Sequence, residues 1–576
     1  MTQRKLHICV VLPILACAHA PQPRVAEVGL RPQIQAEPRA TEPTCGAEPP
    51  SLDWKLRPDF SGRRLEVQLR ATGSPEQLKK LTLERAPAPD WRPREARDAR
   101  GPLDIELERQ ERTLSIIATR DVCGALELRY ELPLTTDPRL LIMEMPEGLH
   151  ASGESLYILP DFSAQEPIPT TLEFALTEEN HYGASSFALG RSQGFTANVA
   201  ELRSSDVLAG GLETAAFDGP VVHDHAALLG LPYYYDFRWV AAETAGVRSA
   251  VDEYFGFESE APFSSIFIAD AALASAEDFS LHPRARSMLM AIKPDLDWAG
   301  EVRMAIATLL VHRWLGATVR IVDAETRDSL WFTQGFSRAI AQERIYRLGT
   351  LSDQELLAEV NGKIITLATS PLRDRSNAEL AALASAEALR VVIARGQLYA
   401  IRLTALLSER SDLQWILSPL IRRALAEQRS EIPLAEWLES IERGFGAQER
   451  ANFERMVLAG EPLTLPEESL GRCFVSRRRK VAGYRLGFEL PPRSFDDEPQ
   501  VIASVEHEGP AWAAGIREGD QITSLHHVAG NVEQPVEVTI ERDGHSLDIR
   551  YLPLGEVARA RVWERNPRGD AECWAS

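Results

Sequence analysis

No stretch of the chain is apolar for long enough to cross a bilayer as a helix, and no segment repeats, which sets aside an integral helical membrane protein and a solenoid. Also missing are a G-x-S-x-G elbow, a P-loop and a G-x-G-x-x-G turn, the usual signatures of serine hydrolases, nucleotide hydrolases and dinucleotide enzymes. There is no CxxC pair and no zinc-ribbon spacing among the six cysteines. Positive charge is scarce: 63 Lys and Arg stand against 84 Asp and Glu, a formal net charge of -21. Such a balance argues against nucleic acid and against anionic membrane surfaces as general partners.

What is present is globular. With 576 residues, 44% hydrophobic and 26% charged, the chain has material for three or four domains. Its first residues have the form of an export signal: Arg4 and Lys5, an apolar stretch from Leu6 to Ala16 interrupted by Pro13, then small residues. Ile14-Leu15-Ala16-Cys17 resembles a bacterial lipobox, in which Cys17 is lipidated and becomes the mature N-terminus. The competing cut, after Ala18-His19-Ala20, is disfavoured by Pro21 just beyond it and would make the protein simply secreted. The expectation is a signal peptide at 1–16 and an envelope lipoprotein, periplasmic or on the outer membrane. Residues 17–50 carry seven prolines from Pro21 to Pro50 without a hydrophobic period, the pattern of an extended tether.

If Cys17 is lipidated, the mature globular part holds Cys45, Cys123, Cys473 and Cys573. An even count in an exported protein suggests two disulfides, and three connectivities are open. Cys45 with Cys123 and Cys473 with Cys573 is the pairing that keeps each bridge inside one expected domain.

From 51 to 218, short runs alternate apolar and polar residues, among them Leu65–Leu69, Leu81–Leu83, Leu114–Ile117, Leu126–Tyr130 and Thr171–Leu176. They predict an antiparallel sandwich or barrel. Residues 219–465 read as a mixed and then helical domain, with Pro371, Pro419 and Pro433 as helix breaks. Within it His223-Asp224-His225 puts two imidazoles on one face of a strand, a spacing that suits a metal, but with no third ligand at a helpful spacing they read as polar residues of a half-exposed strand. The centre of this domain is Ala305 to Phe336: a helix apolar on nearly every side, through Ile306, Leu309, Leu310, Val311, Trp314 and Leu315, is stopped by Gly316 at the place of a left-handed cap. A second helix opens at Leu330-Trp331-Phe332-Thr333-Gln334-Gly335-Phe336.

These two segments resemble the glycyl-aminopeptidase family of gluzincin metallopeptidases, whose first helix reads His-Glu-x-x-His-x-Trp and whose second begins Leu-Trp-Phe-x-Glu-Gly-Phe. The resemblance implies a thermolysin-like core, and on it His312 matches the second zinc ligand and Trp314 the Trp after it, while with the other ligands replaced His312 is expected to be a core histidine bonded to a backbone carbonyl. Thr308 stands for the first ligand, Leu309 for the general base and Gln334 for the third ligand, and the Thr308 hydroxyl is expected to bond the backbone one turn earlier. Ile393 falls where the family carries an oxyanion-stabilising Tyr before Lys-Gly, here Arg395-Gly396. Leu281-His282 lies where a substrate-gripping Gly-Leu-Glu-His is expected. Gly153-Glu154-Ser155-Leu156-Tyr157 and Glu201 to Asp206 also resemble the family's N-terminal domain. Zinc needs three protein ligands and a water, and a general base contributes a factor of about 100 to 10,000, so no catalytic residue and no metal cofactor is expected. Zinc enters only with the alternative of a zinc-dependent aminopeptidase or endopeptidase with a substituted site.

Residues 466–560 resemble a PDZ module, followed by a tail at 561–576. Arg485-Leu486-Gly487-Phe488 fits the carboxylate-binding loop, Gly509-Pro510-Ala511, Ala514-Gly515-Ile516 and Gly519-Asp520-Gln521-Ile522 the helix and turn after it, and Arg542-Asp543-Gly544 the turn of a closing hairpin. Gln521 to Pro535 reads as a loop, too short for the helix that forms the second wall of a PDZ groove. The basic run Arg477-Arg478-Arg479-Lys480 suits an acidic partner, but reads first as a solvated strand edge. The fold class implied is multidomain α+β. The function implied is binding of a peptide or protein by a catalytically inactive peptidase-like core, through its cleft or the PDZ-like strand edge, with the membrane reached only through an N-terminal lipid.

Overall fold

In Ser51–Asp59 (β1) and Arg64–Thr72 (β2) every second residue is buried, and the antiparallel register Leu52↔Ala71, Trp54↔Leu69, Leu56↔Val67 stacks these residues on one face. The computed structural model describes residues 45–567 except 89, 136–141, 146–147, 219–222, 231–235, 257–261, 270–278, 324–328, 384, 408–411, 490–499 and 528–529. Cys17 and Cys573 therefore lie outside the described residues. Leu126–Pro133 (β3) pairs with β2, Ile168–Phe174 (β4) with β1, and Ser192–Ala197 (β5) with β4, giving the order β5-β4-β1-β2-β3, which two short strands extend. The expected sandwich is not purely antiparallel. β4 runs parallel to β1, because the long connection between them returns the chain to the same end of the sheet. A facing four-stranded sheet containing Lys80–Leu83 and Thr113–Ala118 supplies Leu81, Leu83, Leu114 and Ile116 to the shared core.

A disulfide joins Cys45 to Cys123, and the Thr72 hydroxyl donates to the Pro49 carbonyl at 2.5 Å. The stretch read as tether up to residue 50 is thus already docked on the first sheet from Cys45.

Glu213–Asp218 (β6) and His223–Leu229 (β7) open a five-stranded mixed sheet, so the boundary expected at 218/219 falls within a hairpin of this sheet. After the helix Phe237–Phe255 (α1) come Ser264–Ala269 (β8), Phe279–Arg284 (β9) and Ser287–Ile292 (β10), in the order β6-β7-β8-β10-β9. β8 and β10 are buried throughout, as parallel central strands are.

Gly300–His312 (α2), a π-helical turn at Trp331–Phe336, Ser337–Arg347 (α3), Asp353–Thr369 (α4) and Ala386–Leu406 (α5) follow. Ser352 caps α4 reciprocally with Glu355, and Glu355 also accepts from the Gly300 N–H at 2.8 Å, so one carboxylate fixes the starts of two helices. Pro419 does not break the chain. It sits inside the helix Gln414–Ala426, carried through by the buried face of Ile416, Leu417, Leu420, Ile421 and Ala424.

The C-terminal part begins with Phe474–Tyr484 (β11) and, beyond the short helix Pro510–Ala514 (α6), continues as Gln521–His526 (β12), Val536–Arg542 (β13), His545–Tyr551 (β14) and Leu554–Arg565 (β15). The expected hairpin turn is present, with Asp543 and Gly544 both at positive φ (53° and 75°). The expected loop after Asp520 is instead β12 in its first half, paired with β13. β11 pairs with β15 across the boundary expected at 560/561. Among the described residues no helix is long and apolar enough to cross a membrane.

Candidate functional site

α2 and the π-helical turn meet beside α5. The turn is clamped by rings: Trp331 lies 4.9 Å from Phe453 and 5.8 Å from Trp437, and Phe336 lies 5.3 Å from Trp437. Its other side lies against α5 with no side chains between. A Cβ on Gly335 would stand 2.7 Å from Gly396 Cα, and one on Gly396 would overlap the Trp331 carbonyl. Gly335 and Gly396 thus let two backbones touch. A π turn widens the helix by one residue and is often found at functional sites. It places Gln334, half-buried, on the opening turn of the second helix.

On α2 the Thr308 hydroxyl donates to the Met304 carbonyl one turn back, at 2.6 Å. Leu309 is half-buried and packs against the main core. His312 closes the helix, and burial pulls its imidazole below the ordinary histidine range. Its ring has no hydrogen-bond partner among the described residues, so it is not tied to a backbone carbonyl. It rests on Gly316, where a side chain would overlap the ring. Gly316 is therefore a seat for the ring and not a left-handed cap: its φ is 157°, and the chain leaves α2 through wide turns, Ala317 N–H to His312 O and Thr318 N–H to Arg313 O, each 3.0 Å.

The exit from α2 is anchored on α1. The Trp314 indole donates to Asp252 at 3.1 Å, and the Arg313 guanidinium lies 4.6 Å from the Phe263 ring centre. Asp224 accepts from Arg248 and from the Phe263 N–H (3.0 Å), while the His225 ring donates to the Ser185 carbonyl at 3.2 Å. In His223-Asp224-His225, then, the acid and the second imidazole both have structural partners, and the side chain of His223 lies outside the described residues. His282 is exposed on β9, the outer strand of the sheet.

Ile393, half-buried, directs its carbonyl toward Gly335. Two residues on, Arg395 is buried with no carboxylate bonded to it among the described residues: it donates to Asn377 Oδ1 (2.8 Å) and to the carbonyls of Arg373 (2.7 Å) and Arg375 (2.6 Å). Burial brings it down to about 10.

Sequence reasoning missed the ionic network beside these helices. Arg338, one turn beyond Gln334, makes a two-pronged pair with Glu359 of α4. Gln397 Nε2 donates to Gln342 (2.9 Å) and to Glu359 (3.1 Å), and Lys363 stands 3.6 Å from Glu359. Burial would raise the Glu359 carboxyl, but Arg338 and Lys363 outweigh it and hold it at about 2. The helical spacings 334/338, 359/363 and 393/397 were the available signal, and they name faces without saying which faces meet.

In the C-terminal part, Gly487 has φ 86° and a Cβ there would come within 3.0 Å of the Ala511 N–H, at the start of α6. Phe488 pairs with Val505, Arg485 forms an ion pair with Glu506, and the Tyr551 hydroxyl donates to the Leu486 carbonyl at 2.6 Å. Cys473 is disulfide-bonded; its expected partner lies outside the described residues.

The fold is similar to that of solved aminopeptidase N family proteins. The aminopeptidase N family protein of Idiomarina loihiensis superposes with a TM-score of 0.61 over 91% of this chain and 100% of its own, at 12% identity. The M1 zinc metallopeptidase of Deinococcus radiodurans covers 73% of this chain and 96% of its own (TM-score 0.44, 16% identity), and yeast LTA4 hydrolase 72% and 68% (TM-score 0.43, 12% identity). No protein-family model matches the chain. No curated protein matches it either. At these identities the likeness is one of fold.

Proposed function

We propose that this chain is a non-catalytic, peptide- or protein-binding protein of the bacterial cell envelope, held by a lipid on Cys17 and built on a gluzincin scaffold of the glycyl-aminopeptidase kind with a C-terminal PDZ-like module. The observation that carries the reading is at Thr308: where the first zinc ligand would stand, a hydroxyl is committed to the Met304 carbonyl. The residue types at the three ligand positions do not suit zinc. One imidazole, one amide and that hydroxyl make a poor set for an ion that wants three His, Cys or carboxylate ligands. At the general-base position Leu309 has no group to accept a proton from water, and Ile393 offers no phenol to an oxyanion. No step of hydrolysis is therefore assigned to this site.

The test is metal analysis of protein purified without added zinc, together with assay on aminoacyl and peptide substrates. The expected result is sub-stoichiometric zinc and no turnover. Stoichiometric zinc with cleavage that disappears in His312→Ala would establish a peptidase with a substituted site. Pulldown from envelope extract, with peptides identified by mass spectrometry, then finds what the protein holds.

A further inference from the structure

The basic run 477–480 is divided by the pleat of β11, and its two halves meet different surroundings. Arg477 and Arg479 both reach Glu564 of β15, at 2.5 and 2.8 Å. Arg478 and Lys480 belong to the other face. The register sets Arg478 opposite Arg561 and Lys480 opposite Arg559, so four cations form a two-by-two array drawn equally from both strands. Directly opposed pairs in an antiparallel ladder have Cβ atoms about 4.5–5.5 Å apart, and like charges so placed oppose pairing. All four residues are exposed. The one ion pair among them is Arg561 with Glu467 at 3.5 Å, while Arg478, Lys480 and Arg559 have no anionic partner among the described residues. In a chain of net charge -21 this is a local reversal of sign.

The two edges of the ribbon differ. Along the outer edge of β15 the Asn361 amide of α4 donates to the Trp563 carbonyl and accepts from the Trp563 N–H, each at 2.8 Å, taking the place of a neighbouring strand. The outer edge of β11 has no strand partner among the described residues. Protection of that edge against chance pairing would need charge on β11 alone. It does not account for Arg559 and Arg561 on the covered strand.

We propose that the free edge of β11 binds an extended acidic segment of a partner protein, which adds as a strand and carries carboxylates at alternate positions facing Arg478 and Lys480. In an extended chain residues i and i+2 share a face about 6.6–6.8 Å apart, the repeat of the cations on β11. Backbone pairing supplies affinity and the array supplies selectivity. An acidic peptide fits better than an anionic bilayer: the array is narrow, and a surface of net charge -21 is repelled by a membrane that extends beyond it. The proposal is independent of whether the peptidase-like cleft has activity, since β11 and β15 contribute none of the residues at the metal-ligand positions.

The full chain is titrated with a fluorescent ten-residue peptide of alternating Thr and Glu, with a peptide of the same composition whose Glu are in one block, and with phosphatidylglycerol vesicles. Micromolar binding of the alternating peptide is expected, weaker for the block peptide, and reduced roughly tenfold or more in Arg478→Glu/Lys480→Glu and in Arg559→Glu/Arg561→Glu. All four side chains are exposed, so unchanged thermal unfolding certifies the variants. No binding of the alternating peptide, equal binding of both peptides, or binding indifferent to these substitutions overturns the proposal. Charge-dependent binding of vesicles without peptide binding transfers the array to lipid and overturns it as well.

Discussion

The carbonyl of Trp331 occupies the space that a side chain on residue 396 would need, so the π-helical turn and α5 are in contact through their backbones at Gly396. Gly396→Ala must therefore separate the two elements and disturb the ring cluster of Trp331, Trp437 and Phe453. A loss of at least about 1–3 kcal/mol is expected, from the cost of overpacking a closed site. Gly246→Ala is the control: it lies within α1 with nothing inside 4 Å of the new methyl, and should stabilise by roughly 0.5–1 kcal/mol. Denaturant unfolding of both variants gives the two signs.

Zinc binding is expected to appear in Thr308→His/Leu309→Glu/Gln334→Glu. The fold supplies a half-buried His312 and a π turn that sets residue 334 on the opening turn of the second helix. Calorimetric titration with zinc checks it, and a triple variant that folds without binding would show that seating the His312 ring on Gly316 has reshaped the pocket.

Acid stability should depend on Glu359. Its folded carboxyl, at about 2, lies below its ordinary 4.5, so its pairing with Arg338 stabilises fully above that ordinary value and is lost as pH falls from about 4.5 toward 2. The shift corresponds to about 3 kcal/mol as an order of magnitude. Melting temperature against pH should be flat in this respect above pH 5 and fall below it. Glu359→Gln should melt lower at pH 7 and lose much of that acid slope.

Peptide mapping without reductant should recover Cys45 linked to Cys123 and Cys473 linked to Cys573. The first bridge spans 78 residues, a loop whose closure is worth about 4.5 kcal/mol in the chain-entropy model, and reduction should lower the unfolding midpoint accordingly. A link from Cys45 to either C-terminal cysteine would contradict the expected pairing.

Free C-terminal peptides are expected to bind the full chain only weakly at Arg485 to Phe488. Gln521–His526 is a strand, and no helix follows it among the described residues before β13, so the proposed PDZ-like module has no helical second wall among those residues. Titration with a C-terminal peptide library, repeated with amidated peptides, measures this; low-micromolar affinity lost on amidation would mean a working groove.

The strands of the first domain, the two central helices and the Asp543-Gly544 hairpin were legible in the sequence, because each is dictated by residues close together: alternation for strands, a helical apolar period, a pair of turn residues that accept positive φ. The Thr308 bond to Met304 was legible for the same reason, since a mid-helix threonine has its acceptor one turn behind it. Position decided the rest. Pro419 reads as a break but is overruled by the buried face around it, and Gly316 reads as a cap but serves as a seat for His312. Gly396 reads as half of a lost motif but is the contact with Trp331, and Arg559 and Arg561 read as the end of the C-terminal module and the start of the tail but complete an array with Arg478 and Lys480. In each case the deciding neighbour comes from another turn, helix or strand, and periodicity says which face a residue is on without saying what that face meets.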